Sequence, residues 1–288
     1  MAHMQAFFDL KTGTVTYLVD DGASAAVIDP VLDYEAAPAR LSTASIDAVL
    51  ARAAERGLKI EWVLDTHAHA DHLSAADYVR VKTGAKVGIG AQIAQVQRTF
   101  RPLFHAQDVT PDGAAFDVLF ADGARFKIGA LEAQALHTPG HTPACVTYLI
   151  GDAAFVGDTL FMPDYGTARA DFPGGDAAVL YRSIRRILDL PPQTRIFVGH
   201  DYLPAGRTSP AWESTVAEQR AHNIHVHDGV SEAAFVAMRR ARDQTLAAPA
   251  LILPSLQVNI RAGALPPPEE DGQRYLKIPI NRLGAAGQ

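Results

Sequence analysis

The sequence has a single cysteine, Cys145, and so cannot form an intramolecular disulfide, which fits a reducing compartment. It also lacks an excess of cationic side chains, because 26 lysines and arginines stand against 32 aspartates and glutamates. The formal net charge of -6 disfavours binding to nucleic-acid phosphates. No apolar run reaches the roughly 20 residues of a membrane-spanning helix and no leader-like segment is present, so we expect a cytoplasmic protein without a membrane partner.

The order of apolar runs and turn residues predicts a mixed α/β protein. A hairpin is predicted over residues 14–28 and a helix over 42–56. A strand at 59–64, a helix at 73–83 and a strand at 86–89 follow, and this order is typical of a βαβ unit. Functional side chains in such units gather at the carboxyl ends of the strands.

The later part of the chain continues this mixture of strands and helices. The predicted elements are an antiparallel meander over 116–136, a hairpin over 146–156, an amphipathic helix over 176–190, a strand at 195–198, and helices at 212–224 and 233–246. Arg182, Arg185 and Arg186 lie away from the apolar side of the amphipathic helix and are interpreted as a solvated face. We predict a core over residues 5–205 and a C-terminal helical segment with a tail, 206–288, that packs on the same domain.

The stretch after the strand at 59–64 is dense in metal-ligating side chains. It reads Thr66-His67-Ala68-His69-Ala70-Asp71-His72 and holds three imidazoles and one carboxylate. Imidazole nitrogens and carboxylate oxygens suit zinc, iron or manganese, and no thiolate lies nearby to indicate a structural zinc site. Its position on a predicted strand-to-helix turn favours a metal site over a solvated histidine cluster.

Three later segments each bring one more donor to a predicted strand end or loop. His141 lies in a loop rich in proline and glycine, Asp158 follows the predicted hairpin, and His200 follows the strand at 195–198. Because the strand ends of one sheet converge in space, we expect these donors to form one site with the histidine-rich stretch.

Two other features have weaker metal interpretations. His222, His225 and His227 could suggest a second metal site, but a loop-like setting without a nearby carboxylate favours solvent exposure. Cys145 lies in an apolar run and is interpreted as a small buried hydrophobe. The alternative for Cys145 is a thiol that faces the metal pocket.

The donors, taken in order, resemble the motif of the metallo-β-lactamase superfamily, H-x-H-x-D-H followed by a separate His, an Asp and a last His. The matching positions are His67, His69, Asp71, His72, His141, Asp158 and His200. The resemblance spans residues 14–202. It implies an αββα sandwich, of class α/β (α+β), with the metal site at the edge between its two sheets.

Two branches of the superfamily are compatible with these donors. In the glyoxalase II branch all seven donors bind two zinc ions, and a bridging hydroxide hydrolyses a glutathione thioester. In the persulfide dioxygenase branch one iron(II) is bound per chain, by family match through His67, His141 and Asp158. Three segments resemble the dioxygenases: Thr138–Thr147, Thr167–Phe172 and Val258–Gly263.

The resemblance to the dioxygenases implies oxidation of glutathione persulfide with O2 to sulfite and glutathione. His69, Asp71, His72 and His200 would then orient the iron ligands or represent a second metal site. Asp71 or His72 could instead transfer protons. The alternative functions are a two-zinc hydrolase of glutathione thioesters and a non-catalytic metal-binding sensor.

The two carboxylates of glutathione favour cationic partners in the pocket. Arg169 and Arg261 are the candidates, because a guanidinium can bind a carboxylate through two hydrogen bonds, and a structural ion pair is the alternative for each. Tyr202 could donate a hydrogen bond to substrate or O2, or simply form part of the pocket wall. A homo-oligomer, dimer or tetramer, and a sulfurtransferase partner are also expected.

Overall fold

The computed structural model describes residues 2–282, which form fifteen strands and seven helices. The strands are β1 (His3–Phe8), β2 (Val15–Asp20), β3 (Ser24–Ile28), β4 (Val31–Glu35), β5 (Arg40–Ser42), β6 (Lys59–Leu64), β7 (Leu73–Ser74), β8 (Lys86–Gly90), β9 (Val118–Phe120), β10 (Arg125–Ile128), β11 (Leu131–His137), β12 (Val146–Ile150), β13 (Ala153–Gly157), β14 (Arg195–Val198) and β15 (Glu213–Thr215). The helices are α1 (Ala44–Glu55), α2 (Ala76–Thr83), α3 (Ile93–Leu103), α4 (Ala177–Leu188), α5 (Val216–His222), α6 (Glu232–Asp243) and α7 (Ile252–Asn259).

The first sheet has the strand order β1-β2-β3-β6-β8-β9. Its first three strands are antiparallel, as the predicted hairpin requires, and β3, β6, β8 and β9 run parallel to one another. Strand β6 has the predicted bounds. Since β3 and β6 are parallel neighbours, the residues that follow them, Asp29 and the histidine-rich stretch, emerge at the same edge.

The second sheet has the strand order β10-β11-β12-β13-β14-β15. It is antiparallel except for β13 and β14, whose parallel pairing brings Asp158 and His200 to one edge. The predicted meander over 116–136 was wrong in part. Strand β9 pairs in parallel with β8 in the first sheet, and only β10 and β11 form an antiparallel pair, because the turn between β9 and β10 crosses from one sheet to the other.

Aromatic and aliphatic side chains fill the space between the two sheets. Tyr17 of the first sheet meets Phe155 and Phe197 of the second edge to face, with ring centroids 5.2 and 5.5 Å apart. Residues of α1, α2, α3 and α7 pack on the outer face of the first sheet. Residues of α4, α5 and α6 pack on the outer face of the second sheet, which completes four layers in the order αββα.

Helix α4 has the predicted amphipathic pattern, with an apolar face in the core and a polar face toward solvent. Asp176 caps the helix by accepting a hydrogen bond from the Val179 amide at 2.8 Å. Arg182 and Arg186 of its polar face are exposed, as predicted, and Arg185 is half-buried. Each also pairs with a carboxylate of another segment. The pairs are Arg182 with Glu232, Arg185 with Asp228, and Arg186 with Asp122.

The segment after residue 205 contains more structure than its sequence pattern predicted. Strand β15 occupies the start of the predicted helix 212–224, and α5 begins with a capping box between Thr215 and Glu218. Helix α7 was not predicted, because Pro254 interrupts the apolar pattern although its first helical turn tolerates proline. In the described part of the chain, none of the helices has both the length and the apolar character needed to span a bilayer.

Candidate metal centre

The histidine-rich stretch forms the connection between β6 and β7, and the Asp29 carboxylate holds its start in place. Oδ1 of Asp29 accepts hydrogen bonds from the Thr66 amide at 2.7 Å and from His69 Nε2 at 2.9 Å. Its Oδ2 accepts a bond from the Thr66 hydroxyl at 2.9 Å. Sequence reasoning missed Asp29, although its position directly after β3 could have indicated it.

The structure brings together one donor group made of His67, His141 and Asp158. Their donor atoms lie within 4.8 Å of one another, and Asp158 Oδ2 is 3.9 Å from His67 Nε2 and 3.8 Å from His141 Nε2. Each residue comes from a different segment: the β6 connection, the loop before β12, and the end of β13. All three side chains are buried.

Hydrogen bonds at the outer nitrogens orient both imidazoles of this group. His141 Nδ1 donates to the Arg169 carbonyl at 2.8 Å. The Thr66 hydroxyl donates to Asp29, so its oxygen accepts from His67 Nδ1 at 3.0 Å. Each ring therefore presents the lone pair of Nε2 toward Asp158.

This donor set fits a divalent metal ion. Within the described residues, the buried His67 Nε2 has no hydrogen-bond partner, as expected for an atom whose natural partner is a metal. Burial, with His69 nearby, holds the pKa of His67 well below its usual range, so the neutral ligand form is present at neutral pH. Two imidazoles and one carboxylate form the set that non-haem iron(II) uses, and the same residues would accept zinc.

His200 lies between two carboxylates. Its Nδ1 is 2.6 Å from Asp158 Oδ1 and its Nε2 is 2.6 Å from Asp71 Oδ2. Burial opposes a charge on His200, but Asp158 and Asp71 outweigh it and hold the pKa well above its usual range. Both ring nitrogens thus donate to carboxylates in this arrangement, and neither offers a free lone pair.

A second donor group is formed by His69, Asp71 and His72, whose donor atoms also lie within 4.8 Å of one another. His72 Nδ1 is 3.2 Å from Asp71 Oδ2 and 3.3 Å from the hydroxyl of Thr14, a residue that sequence reasoning missed. Among the described residues, His69 Nδ1 and His72 Nε2 are buried without partners. This group could hold a second metal ion.

A cavity of about 370 Å³ opens onto the first donor group. His141, Asp158 and Asp71 line its inner end. Phe161, Tyr165 and Tyr202 form an aromatic wall, and the Tyr202 ring stacks on His200 with centroids 5.4 Å apart and planes at 4°. The predicted site residue Tyr202 therefore lies beside the donors, where its phenol faces the cavity.

Of the two arginines that were predicted to bind substrate, one lines the cavity and the other does not. Arg169 lines the cavity, but its guanidinium is bidentate to Asp171 at 2.6 and 2.8 Å and donates to a backbone carbonyl at 2.7 Å. Arg261 is not among the residues that line this cavity. Its guanidinium is buried and bidentate to Asp108 at 2.7 Å, which is the structural ion pair considered as the alternative.

Other cations do line the cavity and were missed by sequence reasoning. Arg242 of α6 and Lys11 of the β1–β2 turn reach the cavity with exposed side chains. No hydrogen bond or ion pair of the Arg242 guanidinium is present among residues 2–282, whereas Lys11 is 3.8 Å from Glu35. The position of Arg242 on a predicted helix gave no signal that it faces the metal-binding cavity.

Among the described residues, neither donor group includes the side chains with weaker metal interpretations, which are His222, His225, His227 and Cys145. His222 and His227 are exposed, and burial lowers the pKa of the half-buried His225 to about 4. Cys145 is buried, with its sulfur 3.3 Å from the Thr142 amide, and it neither lines the cavity nor belongs to a donor group in the described chain. The structure thus agrees with its interpretation as a small buried side chain.

Cys145 is expected to resist alkylation in the folded protein. Burial raises the pKa of the Cys145 thiol to about 12, so the reactive thiolate is scarce at pH 8. Mass spectrometry after iodoacetamide treatment should show an unmodified native chain and one adduct per chain in denaturant. Rapid modification of the native chain would contradict the assigned burial.

The four-layer fold and the donor groups at the edge of its sheets define a metal-binding αββα protein. The chain belongs to the metallo-β-lactamase superfamily, whose family model matches residues 11–200. This confirms the superfamily and the fold that the motif predicted. It also supports the broad assignment of the chain as a metal-dependent enzyme.

The relatives include a hydrolase-like protein, a glyoxylase and a persulfide dioxygenase. The chain is 54% identical to the β-lactamase hydrolase-like protein of Agrobacterium fabrum, over 98% of this chain and 65% of that protein, so it spans just under two thirds of that relative. It is 46% identical to glyoxylase B2 of Dictyostelium discoideum, over 98% of each chain. It is 32% identical to the mitochondrial persulfide dioxygenase ETHE1 of Mus musculus, over 92% of this chain and 90% of that protein.

A solved structure resembles the chain at the level of the whole fold. ETHE1 from Myxococcus xanthus superimposes with a TM-score of 0.73 and 32% sequence identity, over 91% of this chain and 100% of that chain. The similarity extends well past residue 200, where the family model ends.

Proposed function

We propose that this chain is a non-haem iron(II) persulfide dioxygenase with one iron per chain. In the overall reaction, glutathione persulfide, O2 and water give glutathione, sulfite and protons. The observation that carries the proposal is the donor group of His67, His141 and Asp158, together with the engagement of both His200 nitrogens by carboxylates. Two members of this donor group, His141 and Asp158, line the cavity, so a bound metal would be open to substrate there. The 32% identity to persulfide dioxygenase ETHE1 supports the same choice.

The chain's own residues would prepare the site for this reaction. The carbonyl of Arg169 and the hydroxyl of Thr66 fix the two imidazoles, and His200 holds the carboxylate of Asp158. Bound iron(II) would supply open coordination positions and the electron exchange that couples a sulfur substrate to O2. The aromatic wall that contains Tyr202 would shield the reacting sulfur from bulk water.

Asp71 is the residue that we propose for proton transfer. It lines the cavity, and its Oδ2 is hydrogen-bonded to His200 and His72 at 2.6 and 3.2 Å. Burial opposes its ionisation, but His200 outweighs this and holds the pKa of Asp71 well below its usual range. The carboxylate is therefore ionised, and it would relay a proton released as sulfite forms to cavity water rather than retain it.

For the carboxylates of glutathione, Arg242 is the strongest binding candidate. Its guanidinium is unpaired among the described residues and lines the cavity, whereas the donors of Arg169 are taken up by Asp171 and a backbone carbonyl. Lys11 lies on the same cavity and would assist. A bidentate contact of this kind has a favourable free energy of roughly 1.5–3 kcal/mol.

Replacing Arg242 by alanine is expected to raise the KM for glutathione persulfide about tenfold, with a small change in kcat, because a carboxylate partner remote from the reacting sulfur is lost. Arg240→Ala is the matched control, since Arg240 lies on the same helix, is exposed and is not among the cavity residues. Steady-state kinetics of both variants measure the effect. Equal KM values in the two variants would show that Arg242 does not bind the substrate.

The proposed function is tested by loading the protein anaerobically with iron(II), counting the bound metal, and measuring O2 uptake with glutathione persulfide. One iron per chain and sulfite formed in proportion to O2 consumed are the expected results. A chain purified with two zinc ions that hydrolyses glutathione thioesters and consumes no O2 would overturn the proposal.

A specific observation favours that second candidate, the glyoxalase II-like hydrolase. The group of His69, Asp71 and His72 could hold another ion, and its two buried nitrogens lack partners among the described residues. The identity of 46% to glyoxylase B2 points the same way. Full metal occupancy without either activity would indicate the sensor instead. The homo-oligomer, the sulfurtransferase partner and the cytoplasmic location stay predictions.

A further inference from the structure

The end of helix α7 contacts the backbone of the histidine-rich stretch from a position almost 190 residues away. The Asn259 side chain donates from Nδ2 to the carbonyls of His69 and His72, both at 2.8 Å. Its Oδ1 accepts from the Ser74 amide at 2.7 Å. The side chain is buried, and these three bonds use both donor hydrogens and the acceptor of the amide.

The three bonds fix the peptide groups that flank the second donor group. Asp71 lies in sequence between His69 and His72, whose carbonyls accept the two bonds that Asn259 donates, and His69 comes five residues after the end of β6. A side chain on a segment held at three backbone points has little freedom to move away from the geometry that a metal requires. An aspartate of the same shape could not supply the two donated bonds.

The segment after Asn259 is itself anchored to the domain at several points. The Ile260 carbonyl accepts a hydrogen bond from the buried Gln97 of α3 at 2.9 Å, and Arg261 pairs with Asp108. Gly263 has φ +83° and lies so close to β7 that a Cβ there would come within 2.8 Å of the Ser74 carbonyl oxygen. The motif at 258–263 therefore holds the histidine-rich stretch in place, and we call that stretch the metal loop. Sequence reasoning had instead assigned to this motif a substrate-binding arginine.

We infer that Asn259 is a positioning residue for the metal loop, so that docking of helix α7 and metal binding are thermodynamically linked. The inference rests on the proposed metal site. If a docked helix raises metal affinity, then bound metal must stabilise the docked helix by the same free energy. The C-terminal segment, whose described residues belong to neither donor group, would thereby influence occupancy of the site.

Gln257 supplies a matched control for Asn259. It is buried on the same helix, and its side chain also makes three hydrogen bonds, two donated and one accepted. Its partners are the carbonyl groups of Leu253 and Lys277 and the Lys277 amide, so none belongs to the metal loop. Asn259→Asp and Gln257→Glu are thus equivalent substitutions. The first removes hydrogen bonds to the backbone of the histidine-rich stretch, and the second removes hydrogen bonds to backbone groups elsewhere.

The test measures the affinity of each apoprotein for cobalt(II) by its visible absorption and for iron(II) by anaerobic competition. Asn259→Asp is expected to weaken both about tenfold or more, and Gln257→Glu is expected to leave them within about twofold of the wild type. Equal affinities in the wild type and a folded Asn259→Asp variant would overturn the inference. Absence of metal binding by the wild type would instead overturn the proposed function.

Hydrogen exchange tests the linkage between metal binding and helix docking without any variant. It therefore remains informative if Asn259→Asp does not fold. Cobalt(II) added to the wild type is expected to slow amide exchange in residues 252–263 as well as in the loop 67–74. Protection confined to the loop would show that helix docking is independent of metal. Activity is not needed for either readout, so the outcome does not depend on which reaction the metal supports.

Discussion

Replacing His141 by alanine is expected to abolish stoichiometric iron binding and to lower persulfide-dependent O2 uptake more than about 100-fold. This loss of activity is larger than the loss expected when only a hydrogen-bond partner of a metal ligand is removed. His141 contributes one of the three donors of the first group and lines the cavity, so both the metal and its open side are affected. Metal analysis and an oxygen electrode measure the two effects.

His137→Ala is the control for this experiment. His137 is the last residue of β11, directly before the same loop, and its Nε2 is 2.9 Å from the Pro143 carbonyl. It belongs to neither donor group among the described residues. It should retain one iron and activity near that of the wild type. Iron retained in full by His141→Ala would exclude the proposed ligand set, whereas loss of iron from both variants would indicate collapse of the loop.

The second large effect concerns stability. Arg239→Met is expected to lower the free energy of unfolding by about 3–5 kcal/mol, because it leaves the Asp243 carboxylate buried without its cation. Arg239 is fully buried, donates to Asp243 at 2.8 Å from Nε, and donates to the Thr167 carbonyl at the cavity wall at 3.1 Å. Urea unfolding of the apoprotein gives the change.

A double variant distinguishes the loss of stability caused by the broken ion pair from the loss caused by poorer packing. Arg239→Met with Asp243→Asn should recover a large part of the stability, since the neutral amide keeps an acceptor for the Ala170 amide, which now bonds to Asp243 at 2.9 Å. If the double variant is as unstable as the single one, the loss comes from packing around the arginine stem rather than from a buried unpaired charge.

The sequence predicted those parts of the fold that depend on local pattern. Strand β6 and the donors at its end could be predicted because a largely apolar run leads directly into a dense group of histidines and an aspartate. Such a group has few functions other than metal binding. Helix α4 was predicted from its apolar periodicity. The motif order then identified the superfamily, which the family model confirms over residues 11–200.

The parts that could not be predicted depend on contacts between distant segments. Asp29 and Asn259 hold the metal loop, yet each is an ordinary polar residue in its own stretch of sequence. Arg242 and Arg261 were indistinguishable as isolated cations, and only the packing of α6 and α7 decides which one reaches the cavity. Pairing of β9 with β8 likewise depends on a crossover between sheets that no local turn signal revealed.

Because part of the C-terminal segment is buried in the core, we expect the smallest folding unit to include it. Every donor of the motif precedes residue 201, and the family model ends at residue 200. Leu256, Val258 and Ile260 are nevertheless fully buried in the same cluster as the outer face of the first sheet. A fragment cut after the last donor would carry the complete motif and an uncovered apolar groove. We therefore expect cooperative folding to extend beyond the boundary of the sequence motif.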